Sequence, residues 1–282
     1  MKGINLKKII SWTLKLGFSI AAIVLIYYKV DLGKVLTYGY NSNWLLLLLS
    51  VIAFFTSKVF ASFRVNCFYR SKKILLPEIT NIKLTFLGMY YGLFIPFVGG
   101  EGFKVYWLKK EYQASAKTLS WIALMDRLSG VVALVVLALF SFFCSSFQLD
   151  YKFLVLLLIP ILYGFHFLFN KLFFDVGNVV WFKSSFYSLV VQFFQVVCAF
   201  FIIKSLHIEE GLIEYLFVFL LASLAFVAPF IGARELAFVF GAEKLGLDKE
   251  WSLTISLFFY LAMATNSLMG AYYLLFPKKL KD

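Results

Sequence analysis

Stretches of near-continuous apolar residues recur along the 282-residue chain, at about 10–28, 44–63, 79–98, 118–147, 152–172, 184–203, 212–231 and 252–276. Each approaches the roughly 20 residues an α-helix needs to cross a hydrocarbon core about 30 Å thick. Hydrophobic residues make up 62% of the chain and charged residues only 15%, more apolar surface than a water-soluble core can hide. The gaps between the runs leave no room for a soluble domain. The pattern predicts an all-α polytopic membrane protein, with residues 1–282 forming a single transmembrane domain.

The formal charge of +12 comes from 27 Lys and Arg against 15 Asp and Glu. In a membrane protein such an excess belongs to cytoplasmic loops that meet anionic headgroups. Nucleic-acid binding is excluded on pattern, because the aromatic residues lie inside the apolar runs instead of forming a stacking surface. Cys67, Cys144 and Cys198 are widely spaced, and His166 and His207 stand alone, so no metal site, redox pair or cofactor is expected. The start, "MKGINLKKIISWTLKLGFSIAAIVLIYYK", has the charged opening of a signal peptide. Its apolar stretch is long, holds Lys15 and Gly17, and leads to no clear small-residue cleavage site, so it reads as a retained first span. The basic, amphipathic "RVNCFYRSKKILLPEI", between the second and third runs, reads as an interfacial elbow.

Two segments resemble each other. "LGMYYGLFIPFVGGEGFKVYWLKK" from Leu87 and "LLASLAFVAPFIGARELAFVFGAEKL" from Leu220 each carry an apolar run into Pro-Phe-aliphatic-Gly, then a charge and a short amphipathic stretch. Pro96 aligns with Pro229 and Gly99 with Gly232, and Gly100 extends the first break. Proline removes a backbone donor and glycine tolerates reversal, so these residues mark helix breaks. The positive-inside rule arbitrates between a crossing and a hairpin. Eight straight crossings divide the Lys and Arg residues almost evenly between the two sides. If the third and seventh runs are re-entrant hairpins, most of these cations gather on the side of the N-terminus. The expectation is therefore about six full transmembrane helices plus two re-entrant helical hairpins, with eight straight helices as the alternative. The halves, about 1–147 and 148–282, would form an inverted repeat with both termini cytoplasmic. Broken helices meeting at such an interface are a transporter signature.

Glu101, Lys104, Asp126, Arg127, Arg234 and Glu235 fall at or near bilayer depth. An ionisable residue there costs about 2.5–3.5 kcal/mol on insertion scales, so exposure to lipid tails without a partner is disfavoured. Asp126 and Arg127 are about 100° apart on one helix, so each needs a partner elsewhere. Glu101 or Glu235 would serve Arg127, and Lys104 or Arg234 would serve Asp126. Ala123, Asp126, Gly130 and Ala133 form a small, polar stripe at helical spacing, suited to close packing. The helix N-termini behind Gly100 and Ala233, with Lys104, Arg127 and Arg234, would attract a phosphate. The carboxylates would balance the cations in an empty site.

These same residues carry a resemblance to a family. The chain resembles the flippase-like transmembrane domain of lysylphosphatidylglycerol synthase, the multiple peptide resistance factor type, and is similar to its stand-alone members. That family carries a proline followed by Gly-Gly-Asp-x-x-Arg, then Asp-Arg in the next helix, then Gly-x-Arg-Glu in the second copy. This sequence has Pro96, Gly99, Gly100, Glu101 and Lys104, then Asp126 and Arg127, then Gly232, Arg234 and Glu235. Glutamate replaces the usual aspartate and lysine the usual arginine. The soluble synthase domain is expected to be absent, so the resemblance does not imply lysyl transfer. It implies movement of a phospholipid or a polyprenyl-phosphate-linked headgroup between leaflets of a prokaryotic inner or plasma membrane.

The expected function is thus an anionic-lipid flippase or transporter, not an enzyme. One alternative is a non-transporting subunit that anchors a glycosyltransferase or lipid synthase through the basic loops at Arg64–Lys73 and Lys104–Lys117. A membrane-embedded lipid enzyme is disfavoured. "GGEGFK" lacks the Gly-Lys-Ser/Thr ending of a phosphate loop, and no nucleophile or His-based acid/base pair is visible.

Overall fold

The computed structural model describes residues 20, 24–94, 99–147, 150–225 and 232–280, and these contain helices and connections but no strand. Most of the 10–28 run, Pro96 and Pro229 lie outside the described residues. The helices are α1 (Leu32–Tyr40), α2 (Trp44–Ser71), α3 (Glu78–Phe94), α4 (Gly99–Tyr112), α5 (Ala116–Cys144), α6 (Leu158–Phe173), α7 (Asn178–Ser205), α8 (Leu212–Leu224), α9 (Ala233–Lys244) and α10 (Lys249–Leu275). A 3-10 turn over Lys152–Leu157 leads directly into α6. Among the described residues, 5 helices are long and apolar enough to span a bilayer: α2, α5, α6 with its leading turn, α7 and α10.

Polar side chains set where several of these helices begin. Asn43 Oδ1 accepts from the backbone N–H groups of Leu45 and Leu46 at the head of α2. Asp248 Oδ1 accepts from Trp251 N–H at the head of α10. Each satisfies amides that the first turn leaves without intrahelical partners. Ser57 and Ser188 return their hydroxyls to the preceding turn, to Phe54 O and Ser184 O. This lets these two sit between helices with their donors met.

The interfacial elbow expected over residues 64–79 is shorter than its basic stretch. α2 continues unbroken to Ser71, and only residues 72–77 connect it to α3. The helix runs on because Arg64 finds a carboxylate partner inside the bundle instead of needing the surface.

The same order of elements, long, short, short, long, occurs twice. α2, α3 and α4 begin at 44, 78 and 99; α7, α8 and α9 begin at 178, 212 and 233, each 134 residues later, and α10 follows α5 by 133. α2 and α7 pack antiparallel: Asn43 N–H donates to Ser205 O at 2.8 Å, Phe60 stacks on Phe194, and Arg64 reaches Ser188. Around them α10 lies on α3 and α5 lies on α8, so the closing helix of each series covers the first short helix of the other.

The short helices fold back on each other. A Cβ on Gly88 would fall 2.9 Å from Lys104 Cε, and one on Gly100 would fall 2.4 Å from the Gly88 carbonyl oxygen. Along a continuous helix Gly88 and Lys104 would be about 24 Å apart, so α3 and α4 form a hairpin. In the second series Phe219 faces Phe238, a Cβ on Gly241 would meet Val218, and Asp248 N–H donates to the Tyr215 hydroxyl. These pairs set α8 antiparallel to α9.

The two hairpins open to opposite ends of the bundle. At one end Lys72 donates to Phe174 O and Lys83 to Lys279 O, and Ile74, Leu76, Leu108, Phe174 and Leu280 share a core. At the other end Lys29 pairs with Glu243, Asp31 N–H donates to Glu250, and Ser146 donates twice to Glu214. Burial would raise the Glu214 carboxyl, but the Ser146 bonds outweigh it and hold the group below its ordinary value. The first end carries Lys73, Lys109, Lys110 and Lys117; the second is mixed, with Glu209, Glu210, Glu243 and Glu250 beside Lys34, Lys204, Lys244 and Lys249. A second core, built on Phe54, Ile202, Phe219, Phe238 and Phe259, surrounds the second hairpin. Large apolar side chains such as Leu48, Ile52, Phe165, Leu172, Phe186 and Leu268 face outward, as a bilayer solvent requires.

Candidate functional site: charges between the helices

The first ionic contact joins α2 to α5. Arg64 Nε and Nη2 donate to Asp126 Oδ1 and Oδ2 at 2.7 and 3.0 Å, and Nη1 reaches Ser188 Oγ on α7 at 3.3 Å. Such a bidentate fork is the strongest geometry available to an arginine and a carboxylate. Gly130 makes room for it, since a Cβ there would lie 3.0 Å from Arg64 Nη1. Gly130 and Ala133 of the small stripe expected on α5 are buried. The expected partners of Asp126 were Lys104 or Arg234, and both give way to Arg64. The cause is register: Arg64 stands on the adjoining helix at the level of Asp126, whereas Lys104 is held within its own hairpin.

Lys104 Nζ pairs with Glu101 Oε1 at 3.4 Å, one turn away on α4. Its aliphatic stem lies along Gly88 of α3, where a side chain would collide with it. The Lys104 side chain is 13% exposed and that of Glu101 36%, so the pair is accessible on its carboxylate side. Gly99 and Gly100 open α4, and Glu101 follows in the first turn, where a carboxylate also meets the positive end of the helix.

The second hairpin presents a different arrangement. Gly232 caps α9 at φ +90°, a left-handed conformation that glycine adopts without strain. Arg234 then stands with its guanidinium carbon 4.2 Å from the Phe259 ring centroid, 5.5 Å from Phe238 and 5.7 Å from Phe219. Its Nε and Nη2 atoms are buried and make no hydrogen bond among the described residues. Glu235 Oε1 accepts instead from Ser256 on α10 at 3.2 Å. Glu101 and Glu235 occupy the same place, the third residue of α4 and of α9.

Arg127 is exposed on the flank of α5, about 100° around the helix axis from Asp126. Two cations were not singled out as site residues, Arg64 and Lys58. Lys58 lies mid-way along α2, 4.7 Å over the Phe54 ring, and within electrostatic reach of Arg64, Lys104 and Asp126. The readable signal for Lys58 was a lone cation at the centre of an apolar run. Arg64 gave less warning, because it begins a basic stretch that reads as surface.

Fold and site together define an integral membrane protein whose apolar helices enclose charged side chains from two helical hairpins. More specifically, the chain belongs to the lysylphosphatidylglycerol synthase TM region family, whose profile matches residues 12–174, more than half of its length. Glu101, Lys104, Asp126 and Arg127 fall inside the matched segment, and Arg234 and Glu235 beyond it. Neither the curated proteins nor the solved structures yield a match to this chain.

Proposed function

We propose that this protein moves an anionic, phosphate-containing lipid or lipid-linked headgroup between membrane leaflets. In this reading the two hairpins are re-entrant, the two series of elements form an inverted repeat, and the basic end with both termini faces the cytoplasm of a cell membrane. The observation that carries it is the pair of hairpins opening to opposite ends, each bringing a charged first turn to the bundle interior. Irregular backbone at that depth is tolerated where it is buried in protein or lines a wet cavity, and such breaks at a repeat interface hold substrate in transporters. Glu101, Lys104, Arg234 and Glu235 are the residues assigned to substrate, with Arg64 and Asp126 holding the helices that frame them.

Reconstitution into liposomes tests this reading. The protein should accelerate leaflet exchange of a fluorescent phosphatidylglycerol, and Glu101→Gln and Arg234→Gln should each slow it by roughly tenfold or more, about 1.4 kcal/mol in barrier. Exchange no faster than in protein-free vesicles, or full rates in both variants, refutes it.

A second reading, a docking subunit for a membrane-associated glycosyltransferase or lipid synthase, draws on the exposed Lys73, Lys109, Lys110 and Lys117 at the basic end. Arg64 does not belong to that surface, and Lys104 is engaged with Glu101. Loss of function on reversing these four charges, with Arg234→Gln silent, would favour docking over transport.

A further inference from the structure

Among the described residues, Arg64 pairs with Asp126 and Lys104 with Glu101. Arg234 makes no hydrogen bond through Nε or Nη2, but three aromatic rings surround it and Glu235 follows it in the same helical turn. Lys58 has less. Among the described residues it makes no ion pair, and its ammonium is held by the face of Phe54 alone at 4.7 Å. Arg64, Lys104 and Asp126 all lie within electrostatic reach of it. An unpaired ammonium at a helix centre in lipid costs about 2.5–3.5 kcal/mol, and a cation–π contact returns about 0.5–2 kcal/mol. A lysine kept only for packing gains nothing from this position that a methionine would lack.

Its place is also singular. Fourteen residues separate Lys58 from Trp44 at one end of α2 and thirteen separate it from Ser71 at the other, about 20 Å of helix each way. The residue 134 positions later is Gln192, on the helix that packs antiparallel to α2. Lys58 therefore stands near the crossing of α2 and α7, between the two hairpins. Lys104 of the first hairpin lies within electrostatic reach of it, and Cys198 lies within reach of both Lys58 and Arg234 of the second.

We infer that Lys58 is the anion-binding residue at the midpoint of the path, the ammonium that a lipid-borne phosphate meets from either end. This rests on the anionic-lipid reading above. A phosphate oxygen offers Lys58 the charge-assisted hydrogen bond that the protein does not. The aromatic resting place is weak enough to surrender the ammonium when the phosphate arrives and to reclaim it when the phosphate leaves. A full ion pair at this point would hold the site closed, and an apolar residue would give the headgroup nothing at the deepest point of its route.

Thermal unfolding of the purified full chain in a neutral maltoside detergent tests the assignment. Titration uses dihexanoyl phosphatidylglycerol, dihexanoyl phosphatidylcholine and inorganic phosphate. The wild-type protein should be stabilised by phosphatidylglycerol and much less by phosphatidylcholine. Lys58→Met should unfold no earlier than wild type without lipid, because an uncompensated charge has been removed, and should need roughly tenfold more phosphatidylglycerol for half its effect. Lys58→Arg should retain the lipid response, which also serves if the methionine variant does not fold. A wild-type-like response in Lys58→Met overturns the assignment, as does loss of the response in a folded Lys58→Arg. If wild type itself fails to distinguish the two lipids, the anionic-lipid reading falls instead. Equal stabilisation by inorganic phosphate, lost in Lys58→Met, keeps Lys58 as the anion site but makes free phosphate the ligand.

Discussion

At the scale of single residues, the Arg64–Asp126 fork is the interior contact with the clearest energetic consequence. Removing one partner from a buried ion pair costs about 3–5 kcal/mol, because the other charge stays behind without compensation. Asp126 keeps 21% of its side chain exposed and Arg64 9%, so the loss should fall toward the lower end. Asp126→Ala should therefore destabilise strongly, and Arg64→Met with Asp126→Leu should recover most of that loss, both read from denaturant midpoints in micelles. A double variant as unstable as the single one would show that the pair is not what couples α2 to α5. The two partners differed in legibility for a physical reason. A carboxylate inside an apolar run has few explanations, so Asp126 was readable. Arg64 precedes Arg70, Lys72 and Lys73 in sequence, and a basic stretch beside an apolar run resembles a membrane surface whether or not its first member is buried.

At the scale of elements, the breaks that separate α3 from α4 and α8 from α9 were legible because the apolar runs are interrupted there by proline and glycine in the sequence. The fit of these helices was not, since it depends on which glycine faces which backbone. Gly100 meets the carbonyl of Gly88, and a Cβ on Gly270 of α10 would lie 2.3 Å from Phe86 O on α3; no local sequence pattern announces either approach. Gly92, on α3, has nothing within 4 Å of a Cβ position. Gly100→Ala should therefore push α4 off α3 and destabilise by about 1–3 kcal/mol, the range of overpacked interiors. Gly92→Ala should be neutral or stabilising by up to about 1 kcal/mol, since alanine is the better helix former. Equal unfolding midpoints for the two variants would contradict the close α3–α4 contact.

At the scale of the whole molecule, the doubled order of elements and the unequal charge of the two ends support the proposed inverted arrangement of the halves. The charge bias was readable because orientation follows Lys and Arg in short loops. The pairing of α10 with α3 and of α5 with α8 was not, because it joins residues far apart in sequence. The orientation now has a discriminating test. With re-entrant hairpins, Lys117 at the head of α5 lies in the cytoplasm and Glu209, between α7 and α8, lies outside. With eight straight crossings the two exchange sides, while Lys279 stays inside and Lys244 outside in either case. Each can be replaced by cysteine after Cys67, Cys144 and Cys198 are changed to serine, and probed with a membrane-impermeant maleimide. In intact cells Glu209→Cys and Lys244→Cys should label, and Lys117→Cys and Lys279→Cys should label only after permeabilisation. Labelling of Lys117→Cys in intact cells with Glu209→Cys protected would require α3 and α8 to cross the bilayer, and a path from opposite leaflets to Lys58 would lose its structural basis.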